Sequence, residues 1–107
     1  SDGNYMIKAT GYEGFHSGTV SVYVLAEFDN GLFTGISNVT IAEYSSSQTL
    51  MAKFTEAVLA KFKGLTTEYT DKPGTIAAGA TYSSNAVKNA VNCSITYINS
   101  ELVKEVE

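Results

Sequence analysis

A chain of 107 residues that is 44% hydrophobic and 11% aromatic is one globular domain, with a modest core and little room for a second. A formal charge of −4, with lysines scattered and no arginine, excludes nucleic acid as a partner. The single cysteine excludes an internal disulfide, no cysteine or histidine spacing suits a metal, and no apolar run approaches the roughly 18 residues of a membrane span. The first residues carry no signal-peptide pattern.

Tyr5–Thr10 is a short β-prone run. Gly11-Tyr12-Glu13-Gly14-Phe15-His16-Ser17-Gly18 follows, with three glycines in eight residues, and reads as a loop. From Thr19 to Phe28 an apolar set (Val20, Val22, Val24, Ala26, Phe28) alternates with a mixed one, which predicts a strand with one buried face. Asp29-Asn30-Gly31 is a hairpin turn, because Asn and Gly tolerate positive φ. The return strand spans Leu32–Tyr44 and is anchored by Ile36, Val39 and Ile41. Its alternation slips at Gly35 and Ser37-Asn38, which predicts a bulge there.

Ser45-Ser46-Ser47 offers an N-cap. Gln48–Lys63 then reads as an amphipathic helix with Leu50, Met51, Phe54, Val58 and Phe62 on one face, closed by Gly64 as a left-handed C-cap. Thr66–Asp71 is polar and strand-like. A final helix carries Val87, Ala90 or Val91, Ile95, Ile98 and Leu102 at helical spacing, with Cys93 expected as a small buried hydrophobe within it. The order predicts an α+β domain: an antiparallel sheet built around a long β-hairpin, with two main helices packed on it.

The stretch Gly74–Val87 leads from a Pro73-Gly74 turn through small residues into that last helix. Gly79 and Ala80 admit close approach to the backbone. Thr81, Ser83 and Ser84 bring hydroxyls to a helix start whose first N–H groups lack intrahelical partners. One reading is an ordinary turn with a Ser-capped helix. The other is an anion site that holds a phosphate without a positive side chain.

The run Gly79-Ala80-Thr81-Tyr82-Ser83-Ser84-Asn85-Ala86-Val87, followed by Ala90-Val91, resembles the signature of the flavin-mononucleotide-binding domain. That domain occurs in the G subunits of ion-pumping electron-transport complexes, in the C subunit of sodium-pumping quinone reductases and in small bacterial cell-surface flavoproteins. The resemblance implies an extracytoplasmic, membrane-associated flavoprotein that relays electrons between redox partner proteins. Flavin mononucleotide (FMN) would be held by Gly79, Ala80, Thr81, Tyr82, Ser83 and Ser84. It further implies that Thr81 is the residue at the flavin phosphate, or joined to it by a flavin transferase. The Gly11–Gly18 loop would then lie near the ring.

Two positions depart from the family's modification motif. Thr75 stands where an aspartate is usual, and Ala78 where a serine or threonine precedes Gly-Ala. They favour non-covalent FMN over a phosphoester at Thr81. They are also what would mark a rival class, a binding or structural module that kept the fold and lost the flavin. Tyr82, Tyr12, Phe15 and Met51 are candidates for ring contacts, with core packing as the alternative for each, and Lys72 is the nearest lysine. No paired carboxylate or nucleophile–base constellation supports an independent enzyme.

Overall fold

The computed structural model describes residues 3–12, 18–45, 51–70, 76 and 81–102. Three strands, β1 (Gly3–Tyr12), β2 (Thr19–Asp29) and β3 (Leu32–Tyr44), form an antiparallel sheet in the order β1-β2-β3. A short helix α1 (Glu56–Leu59) continues into a 3₁₀ turn, Ala60–Phe62, and packs on β3. The long helix α2 (Thr81–Tyr97), extended by a π turn over Ile98–Leu102, lies across β1 and β2. The fold is α+β, as expected.

The alternation in β2 decides which face is covered. Val20, Val22, Val24 and Ala26 are wholly buried, while Tyr23 and Glu27 at alternate positions are exposed. Burying a valine stabilises by about 1.5–3 kcal/mol relative to leaving it in water, so a one-residue register slip would be costly. The facing stripe of α2 is Val87, Ala90, Val91, Ile95 and Ile98, all buried, as the helical spacing predicts; the Leu102 side chain lies outside the described residues.

The β2–β3 turn is a two-residue loop closed by the Asp29–Leu32 pair. Asn30 has φ 53° and Gly31 φ 78°, the pair of positive values that matches the twist of a hairpin. The β3 ladder shifts register three times, leaving Thr34, Ser37 and Ala42 unpaired. The first two lie where Gly35 and Ser37 interrupt the pattern, and the third carries no sequence signal.

Three expectations need correction. The helix expected over Gln48–Lys63 is not continuous: Met51 is helical, residues 52–55 are not, and helix resumes at Glu56, while residues 48–50 lie outside the described residues. Across the break the Phe54 amide donates to Met51 O (3.0 Å) and the Thr55 amide to Lys53 O (3.1 Å). The Thr55 hydroxyl then accepts from the Val58 amide and caps α1. Met51, Phe54, Leu59 and Phe62 are all buried, and their spacing would suit one helical face as well, so the break lies in the backbone before the Thr55 cap and not in the apolar pattern. Leu59, not Val58, is the residue fully buried. Gly64, at φ 86°, does end the segment as expected. Its amide donates to Ile36 O while Leu65 O accepts from the Ile36 amide, tying this segment to β3.

The segment expected as strand-like, of which 66–70 is described, pairs with no strand. Side chains of α2 take over the role of a ladder. Asn92 accepts from the Tyr69 amide (2.7 Å) and donates to Tyr69 O (3.1 Å), Asn99 donates to Thr66 O, and Thr96 donates to Glu68. Tyr69 also packs edge-on against Phe62. Finally, Cys93 is exposed, not buried. At 100° per residue it sits on the far side of α2 from the Val87–Ile98 stripe.

Candidate functional site

Of the six residues expected at the ligand, Gly79 and Ala80 lie outside the described residues. Thr81 and Tyr82 open α2, and their side chains also lie outside. Ser83 and Ser84 are described, and both are fully buried on the side of the helix that faces the core. The Ser83 hydroxyl has no hydrogen-bond partner among the described residues. A buried hydroxyl left unpaired costs about 1–3 kcal/mol, so its retention asks for a reason.

The electrostatics of this helix end are simple. Seventeen residues of aligned peptide dipole place partial positive charge at Thr81–Ser84, and the first turn contains no acidic residue to neutralise it. A carboxylate at such a position would compete with any external anion.

The end of β1 is brought to the same end of α2. Gly11 is packed so tightly on the helix that a Cβ there would lie 1.8 Å from the Ala86 carbonyl oxygen and 2.7 Å from the Ala90 nitrogen. One residue on, the Asn89 side-chain amide donates to Tyr12 O (3.1 Å). The other leg of the glycine-rich segment is fixed as well. The Thr19 amide donates to the Ser45 hydroxyl (2.8 Å), and the Ser45 amide to Thr19 O (2.9 Å). Residues 13–17 lie outside the described residues, but the strand ends that carry them are held. One end is fastened within two turns of the start of α2.

Of the ring contacts expected from sequence, Met51 and Tyr12 can be placed. Met51 is buried in the core beside Phe54 and Leu59. Tyr12 is 65% exposed, and strand alternation puts it on the face opposite Gly11, away from α2. Phe15, Lys72 and the Tyr82 side chain lie outside the described residues. Asn89 and the Ala86/Ala90 pair were not singled out for this role by sequence. The available signal was a pair of alanines four apart, which on a helix makes a flat place for a glycine backbone.

Fold and site together define a sheet-and-helix α+β domain whose long helix begins without acidic charge and carries a buried hydroxyl with no partner among the described residues. No protein-family model, curated protein or solved structure matches this chain. Among the described residues no helix is long and apolar enough to cross a membrane.

Proposed function

We propose that the chain is a small FMN-binding electron-transfer domain, with the flavin phosphate at the Gly79-Ala80-Thr81 turn and the N-terminus of α2. The observation that carries this reading is the buried Ser83 hydroxyl, without a partner among the described residues, in the first turn of a 17-residue helix with no acidic residue there. A phosphate accepts from hydroxyls and helix amides and gains from the positive end of the dipole, each such contact contributing about 0.3–1 kcal/mol. Tight packing of Gly11 on Ala86 supports it by bringing the end of β1, from which the glycine-rich segment leaves, to the same helix end.

When bound, flavin supplies one- and two-electron redox chemistry, while the chain holds the phosphate and positions the ring. The domain relays electrons between redox partner proteins in an extracytoplasmic setting. Thr75 and Ala78 favour FMN held without a covalent bond. The Gly79→Val variant should keep the fold and lose FMN binding, because the added side chain occupies the space beside the phosphate. A folded Gly79→Val protein that binds FMN with unchanged affinity would put the site elsewhere.

A second reading, a module of this fold that has lost its flavin, is favoured by the Met51 side chain, which is buried in the core, and by that of Tyr12, which lies on the sheet face opposite Gly11. Colour separates the two: protein reconstituted with FMN and then desalted is yellow only on the first reading.

A further inference from the structure

A cleft of about 570 Å³ runs along the side of β1 that faces away from β2. One wall is the run 5–10 of β1, and the other is Cys93, Ser94 and Tyr97 of α2. Six consecutive strand residues line it, not every second one. The wall is therefore the strand's edge, with its main-chain donors and acceptors, and not one face of side chains. A ligand matched to that wall is another extended strand.

Edge strands are ordinarily protected by proline, bulges, short length or outward charges. β1 has ten residues, an unbroken register against β2 from Gly3–Phe28 to Tyr12–Thr19, and no proline. Its one charged residue, Lys8, is drawn across the sheet to an ion pair with Glu43 of β3. Among the described residues no carboxylate lines the cleft. Apolar surface collects there instead: Met6 is 65% exposed, Tyr97 48% and Tyr5 41%. The opposite side of the sheet differs, because Gly64 and Leu65 hydrogen-bond to Ile36 along β3.

We propose that β1 is a homodimerisation edge, on which a second copy of this chain pairs its own β1 antiparallel across a two-fold axis to give a continuous six-stranded sheet. A second copy fits better than a foreign peptide for two reasons. It closes both edges at once, whereas an added peptide leaves its own outer edge open. The Lys8–Glu43 pairing also keeps the two lysines from meeting as uncompensated like charges. The surface is separate from the α2 start, so the test is made without FMN.

Sedimentation velocity of the full chain, from micromolar to millimolar concentration, should show the mass rising from one chain to two. Amide exchange within residues 6–10 should slow as the dimer fills. Met6→Lys and Tyr97→Lys both change exposed positions and should leave the thermal transition cooperative while holding the protein at the mass of one chain. The proposal fails if the wild-type chain stays monomeric at the highest concentration. It fails equally if both lysine variants still dimerise, or if exchange at residues 6–10 does not depend on concentration.

Discussion

Gly11 of β1 and Ala86 of α2 are in backbone contact, with room for no side-chain atom at residue 11. This contact sets the height of the helix over the sheet at the end where the glycine-rich segment leaves β1. It fixes both a packing distance and the position of the start of α2.

Gly11→Ala should therefore be strongly destabilising. The added methyl meets carbonyl and amide groups of the helix backbone, which can move only if α2 shifts as a whole. Overpacking of this kind costs about 1–3 kcal/mol. Urea denaturation should show a lowered midpoint with an unchanged slope. A midpoint equal to wild type would mean that the contact is looser than described.

Ser83 allows the structural and functional readings to be separated by sign. Replacing an unpaired buried hydroxyl with a methyl group removes a desolvation penalty. Ser83→Ala should thus stabilise the FMN-free protein by about 1 kcal/mol. The same change should weaken FMN binding, since one phosphate contact is lost. If FMN-free stability falls instead, the hydroxyl has a structural partner.

Asn92 ties Tyr69 to α2 through two hydrogen bonds, one to the amide and one to the carbonyl. Asn92→Leu should destabilise by about 1–3 kcal/mol, because a part-buried peptide group loses both partners. Limited proteolysis should then cut first near residues 66–70, and a cleavage pattern identical to wild type would contradict the clamp.

Much of the fold was legible because its signals are local. The Asn30-Gly31 turn, the β2 alternation and the α2 stripe each follow from one period or one φ preference, and neighbouring residues supply all the information needed. The helix expected over Gln48–Lys63 failed for the opposite reason. Met51, Phe54, Leu59 and Phe62 suit one helical face in spacing, and the only local sign of a later start is Thr55, which caps it. Asn92, Thr96 and Asn99 share one side of α2 and read as a solvated face. Nothing in their spacing shows that 66–69 lies against them. The partnering of Gly11 with Ala86 spans most of the chain, and sequence offered only small residues at each end.

The Lys8–Glu43 pair gives a pH signature. The hydrogen bond to Glu43, then its charge, raises the Lys8 pKa, and the same bond and charge lower that of Glu43. Glu43 contributes stability above the unfolded carboxylate pKa and loses it as pH falls through the lowered folded value. Lys8 contributes below the unfolded lysine pKa and loses it as pH rises through the raised one. Both groups are exposed, so the effect is small and screened by salt. Wild type should lose slightly more stability than Lys8→Met on acidification from neutrality, and parallel urea-midpoint curves for the two would contradict this.

The central claim is the FMN site, and titration followed by acid precipitation tests it most directly. The chain, co-expressed with a flavin transferase and then titrated with FMN, should shift the flavin absorbance bands and quench its fluorescence. Acid should then release all of the flavin to the supernatant, leaving a polypeptide of unmodified intact mass. Absence of any spectral change with FMN would contradict the site itself. A mass increase of FMN minus water, retained in the acid pellet and lost in Thr81→Ala, would instead contradict non-covalent binding and show that Thr75 is no barrier to modification.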